Sequence, residues 1–202
     1  MKAMVISIIV FLSLLNAKRY TTILKREEKK EVNPALAMWF LFALAVSLST
    51  VSLLFESSWN WEAAAFGIAD MAMCISVSVG IIRRDGNKIV LDSFEKYYIG
   101  VILGAVSFWV LTKNSVGMNV VAQSLLIAAY VPTVRRMARE KKNTEPLSIW
   151  YCSLANSILS LYLSIGSGEV LAVIYSVRSL LSTSFLLTLM HKYERRNRKQ
   201  NA

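Results

Sequence analysis

Two ionisable side chains stand deep inside apolar runs of this sequence: Asp70, the eighth residue of 63–82, and Arg178, the eighth of 171–190. At the centre of a bilayer-crossing helix such a residue costs roughly 2.5–3.5 kcal/mol, so neither is expected to face lipid. At about 1.5 Å per residue, both lie roughly 10–12 Å below the same boundary. Sliding the chain by 108 residues lays one on the other. An acid and a base facing each other across a bundle have two readings. One is a buried ion pair that fixes how two halves dock, each charge being uncompensated without its partner. The other is a polar cavity in which both bind a solute, and a zwitterion such as an amino acid suits the pair better than a neutral sugar.

Other polar groups in the apolar runs could complete such a pocket: Asn156, Gln123, Asn119, Tyr162, Tyr175, Ser52 and Ser160. The substrate-binding set expected from sequence is Asp70, Arg178, Asn156, Tyr162 and Gln123. Asn156 leads the uncharged members, because a mid-helix amide needs a partner. Membrane serines mostly bond their own backbone or a neighbouring helix. Trp39 and Trp150 each lie about a turn from one end of a run, where an interfacial aromatic belt is the usual explanation. Little else could do chemistry. One histidine, His191, and two cysteines in different runs, Cys74 and Cys152, give no zinc cluster and no nucleophile–base set. The expectation is a protein that is not an enzyme and needs neither metal nor cofactor.

The elements that must position these residues are apolar. Of 202 residues, 55% are hydrophobic and 18% charged, and the mean hydropathy is +0.46. Seven runs are long enough to consider as spans: 3–17, 35–55, 63–82, 97–112, 115–134, 147–165 and 170–190. The first and fourth are short against the roughly 20 residues a crossing needs, and the first is expected to continue as helix to Leu24. The net charge of +10 is distributed on one side. Twenty of the 23 Lys and Arg fall between runs one and two, three and four, five and six, or after run seven. By the positive-inside rule this predicts seven spans in the cell membrane, an outside N-terminus and a cytoplasmic C-terminus. The one-sided distribution also explains the basic loops without nucleic acid. A cleaved leader ending near Ala17 is the alternative for the first run, opposed by the basic residues that follow it.

Sliding the chain by 111 residues aligns Ser13-Leu14-Leu15 with Ser124-Leu125-Leu126, Trp39 with Trp150, and Leu48-Ser49 with Leu159-Ser160. The expected fold is an all-α integral membrane protein with two parallel three-helix repeats joined by a linker helix, a 3-1-3 order. The odd crossing restores the orientation of the second triplet. The corresponding divisions are 1–84, 85–114, 115–192 and a basic cytoplasmic tail, 193–202. Gly100 and Gly104 give the linker helix a small-residue face, a weak packing signal.

Tyr130-Val131-Pro132-Thr133, then Lys141-Lys142-Asn143-Thr144-Glu145 and Pro146-Leu147-Ser148-Ile149-Trp150, resembles a PQ-loop segment. The three-one-three layout is similar to the SWEET transporters over nearly the whole chain. Thr133 stands where the family motif has Gln, and Thr21 where the first half would have Pro. The resemblance implies an integral membrane transporter moving a small polar or zwitterionic solute by alternating access, with Pro132, Pro34 and Pro146 as hinges. Pro34 and Pro146 also read as ordinary helix-start punctuation. The alternative is a non-transporting membrane receptor or assembly protein of the same fold. The implied partners are the lipid bilayer and the solute, with a homo-oligomer left open.

Overall fold

A computed structural model describes residues 2–25, 36–84 and 93–200. They form α1 (Lys2–Lys25), α2 (Leu36–Glu56), α3 (Trp61–Arg84), α4 (Ser93–Thr112), α5 (Ser115–Ala128), α6 (Val131–Glu140), α7 (Leu147–Ser167) and α8 (Val170–Gln200). Hydrocarbon offers the backbone no hydrogen-bond partners, and a helix satisfies its N–H and C=O groups internally. Runs this apolar therefore fold as helices, unbroken except where Pro132 lies inside one of them. Among the described residues, six helical stretches are long and apolar enough to cross a bilayer, α5 and α6 together making one of them. The apolar part of α4, Lys96–Thr112, is shorter. Large apolar side chains such as Phe11, Leu103, Leu111, Leu181 and Phe185 point outward, while asparagine, glutamine and many serines are buried. This is the architecture of an all-α integral membrane protein.

The helices pack around one axis. α1 lies on α3, α3 on α2, α2 on α5, α5 and α6 on α8, α8 on α7, and α7 returns to α1. α4 stands outside this ring against α2 and α5, held by the Tyr98 hydroxyl, which donates to the Leu125 carbonyl. Among the described residues, nothing lies within 4 Å of where a Cβ at Gly100 or Gly104 would stand, so no close helix packing uses these glycines there. Gly67 is different. A Cβ there would meet Thr50 Oγ1 at 2.4 Å, so the absent side chain lets α3 approach α2.

Short connections are fixed by their own residues. Asn60 Oδ1 accepts from the Ala63 amide at 3.1 Å and Asn114 Oδ1 from the Gly117 amide at 2.8 Å, each capping the helix that follows. Gly168 ends α7 at a φ of 75°, in the left-handed region. α5 stops at Ala128, and α6 restarts at Val131 with Pro132 in its first turn. Proline supplies no amide to the preceding turn, and the helix breaks where its bond would be. Pro146 caps α7 in extended conformation. Pro34 lies outside the described residues. α8 runs unbroken to Gln200, so residues 193–200 continue it as helix. Their many Lys and Arg are compatible with helix, and no Gly or Pro interrupts the run.

Candidate functional site

Asp70 sits on α3 and Arg178 on α8, and both line one cavity on the bundle axis, with a volume of about 30 Å³. Among the described residues they make no direct ion pair. Tyr175 lies between them. Its hydroxyl donates to Asp70 Oδ2 at 2.6 Å, and the Arg178 guanidinium carbon stands 4.7 Å from the centre of its ring. Tyr175 and Arg178 are three residues apart on α8 and so share a face. One aromatic side chain thus holds the acid through its polar end and the base through its π face.

Arg178 is also tied to α5. Its Nε donates to Gln123 Oε1 at 3.0 Å, and Gln123 Nε2 donates to Ser49 Oγ on α2 at 2.7 Å and to Asn119 Oδ1 at 3.1 Å. Asn119 in turn donates to the Ser49 carbonyl and to Ser52 Oγ, each at 3.1 Å. Gln123 therefore orients the guanidinium and belongs to the α2–α5 seam, and does not line the cavity. The second guanidinium nitrogen, Nη2, is buried without a hydrogen-bond partner.

Across the axis, Asn156 on α7 donates through Nδ2 to Ser13 Oγ on α1 at 2.9 Å and to the Ile9 carbonyl at 3.5 Å. A carbonyl can only accept, so the Ile9 contact assigns the amide nitrogen to that side. Asn156 Oδ1 is left buried and unpartnered, as is Trp150 Nε1. Asn156, Trp150 and Arg178 all line the cavity. Asp70, Arg178 and Asn156 are therefore brought together, with Gln123 in direct contact behind Arg178.

Tyr162 is not among them. Its side chain is half exposed on the outer face of α7, and it does not line the cavity. The buried tyrosine of the pair is Tyr175. The tryptophans also depart from a belt. Trp39 and Trp150 are 1% and 3% exposed, and their rings stack with centroids 5.8 Å apart. A belt and an axial stack both put tryptophan a turn from a helix end, and only the face it occupies distinguishes them. Ser160 bonds Ser176 at 2.7 Å and serves the α7–α8 seam, together with a Ser157–Ser179 contact at 2.8 Å.

Sequence reasoning missed Phe42, Phe66, Met73, Tyr130, Ser153, Ser179 and Thr183, which with Cys74 complete the walls. Helical spacing carried a signal for several. Ser153 lies midway between Trp150 and Asn156, and Phe42 follows Trp39 by three, so each belongs to the face of a residue already singled out. Cys74 lines the cavity one turn from Asp70, its Sγ 3.9 Å from Oδ1.

At the end carrying the basic loops, Trp39 Nε1 donates to the Tyr20 hydroxyl at 3.0 Å, and that hydroxyl donates to Glu145 Oε2 at 2.9 Å. At the other end, Leu53, Leu54, Ala64, Leu171 and Ala172 form a separate apolar cluster. The cavity lies between an aromatic layer and an apolar plug. No cluster of three or more His, Cys, Asp or Glu that could hold a metal ion exists among the described residues. Compared with family models, curated proteins and solved structures, the chain matches none.

Proposed function

We propose that this chain is a membrane transporter of the PQ-loop/SWEET type, moving a small polar solute by alternating access between residues 1–84 and 115–192. The observation that carries the reading is the axial cavity. It is bounded by a carboxylate and by residues whose Arg178 Nη2, Asn156 Oδ1 and Trp150 Nε1 are buried without partners. An unsatisfied buried polar group costs about 1–3 kcal/mol, more when charged. Asn16 Oδ1, Thr50 Oγ1 and Thr144 Oγ1 are also without partners elsewhere in the bundle, but only at the cavity do three such groups gather on the lining of one space, which a scaffold alone gains nothing from. A site that binds and releases a polar solute needs them. An assembly protein of the same fold that binds no solute has no such requirement.

The helix packing supports the two-triplet reading. Exchanging α1, α2 and α3 for α5/α6, α7 and α8 turns the α2–α5 contact into the α7–α1 contact, and α2–α3 into α7–α8. Trp39 and Trp150, equivalent at the 111-residue offset, meet each other, as residues beside a two-fold axis do. In this reading the break at Pro132 and the cap at Pro146 let the basic-loop end open, and the positive-inside rule puts that end in the cytoplasm. In this reading the solute enters as the triplets part. Uptake by proteoliposomes tests the proposal. Wild-type protein fills them, and Asp70→Asn and Arg178→Gln protein, inserted at equal density, does not.

A further inference from the structure

Resting on the transport reading, we infer that the solute is a small neutral amino acid or an equivalent zwitterion, its carboxylate on Arg178 and Trp150 and its ammonium on Asp70 and Asn156. Asp70 and Arg178 share a cavity but do not neutralise each other by contact. Tyr175 separates them, donating to the acid at 2.6 Å and offering its ring to the base. Arg178 has committed Nε to Gln123, and its Nη2 remains without a partner. The Asp70 carboxylate has about four acceptor positions. It uses one for the Tyr175 hydroxyl and makes a 3.9 Å contact to the Cys74 thiol.

The uncharged groups divide in the same way. Trp150 Nε1 is a donor without an acceptor, and Asn156 Oδ1 is an acceptor without a donor. The residues lining the cavity therefore carry an unmatched donor pair, Arg178 Nη2 and Trp150 Nε1, and an acceptor pair, the unmatched Asn156 Oδ1 and an Asp70 carboxylate with acceptor positions left beyond its bond to Tyr175. A carboxylate answers the first and an ammonium the second. Net charge selects among solutes. A bound anion leaves Asp70 uncompensated, a bound cation leaves Arg178 uncompensated, and a neutral polyol compensates neither. Only a solute with both charges and no net charge satisfies all four groups. The remaining walls include Phe42, Phe66, Met73 and Tyr130, which suit a short apolar substituent and oppose a third charge.

The test uses purified wild-type protein, so it does not depend on any variant folding. Its unfolding temperature is measured with alanine, propionate, ethylamine or glucose at equal concentration, and uptake of each is measured in proteoliposomes. Alanine is expected to raise the unfolding temperature and to be taken up at least tenfold faster than the other three. Equal or better stabilisation and uptake with propionate, ethylamine or glucose overturns the zwitterion assignment and leaves the transport reading standing. Stabilisation by alanine without uptake of any solute keeps the binding assignment and overturns transport. No response to any of the four overturns both.

Discussion

Trp39 and Trp150 stack across the bundle axis with ring centroids 5.8 Å apart and planes inclined by 30°. They differ in one bond. Trp39 Nε1 donates to Tyr20, which reaches Glu145, whereas Trp150 Nε1 has no partner. The first indole is anchored to the helix ends, and the second keeps a donor available beside the cavity. Two residues at equivalent positions thus differ in use: one indole N–H is committed within the bundle, and the other is uncommitted in a residue that lines the cavity.

That difference separates two substitutions that look alike. Trp39→Phe removes the bond to Tyr20, worth about 0.5–1.5 kcal/mol, and is expected to lower the unfolding temperature. Trp150→Phe removes no bond inside the protein, and is expected to leave that temperature nearly unchanged while raising the KM for uptake about tenfold. Thermal unfolding and uptake kinetics on the same preparations check both. Equal effects of the two variants on both measurements contradict the division.

Tyr175 links the acid to the base, and its two contacts can be removed separately. Tyr175→Phe keeps the ring beside Arg178 and deletes the hydroxyl that Asp70 accepts from. A hydrogen bond to a charged group contributes about 1.5–3 kcal/mol, so uptake is expected to fall tenfold or more at equal amounts of inserted protein. Tyr175→Ala also loses the cation–π contact and a buried aromatic, and is expected to reduce the yield of folded protein. Unchanged uptake by Tyr175→Phe would show that the hydroxyl does not matter.

The α2–α3 contact provides a test of packing alone. A methyl group at Gly67 would lie 2.4 Å from Thr50 Oγ1, an overlap that costs about 1–3 kcal/mol if the helices are forced apart. Gly67→Ala is expected to destabilise the purified protein. Thr50→Ala in the same chain removes the clashing oxygen and should restore most of the loss. A Gly67→Ala protein as stable as the parent would contradict the close approach of α3 to α2.

The helices are legible in the sequence because crossing hydrocarbon demands long uninterrupted apolar runs. Asp70 and Arg178 are legible because a lone charge in such a run is expensive, and Asn156 and Gln123 because a buried amide must find a partner. The faces of the helices are less legible. A membrane helix is apolar all round, so no amphipathic stripe reveals which side meets the axis. Tyr162 and Tyr175 are therefore equivalent by composition, yet one faces outward and the other joins Asp70 to Arg178. The faces of the tryptophans are hidden for the same reason, and Ser153 and Thr183 are indistinguishable among many serines and threonines. The break before Pro132 was readable, because proline's missing amide is independent of which face is buried.

The most direct measurement is time-resolved uptake of labelled alanine by proteoliposomes holding equal densities of wild-type, Asp70→Asn and Arg178→Gln protein. Saturable uptake is expected for the wild type and at least a hundredfold loss for each variant, with both variants folded and inserted. Full uptake by both variants, or none by the wild type across alanine, propionate, ethylamine and glucose, would contradict transport through the cavity.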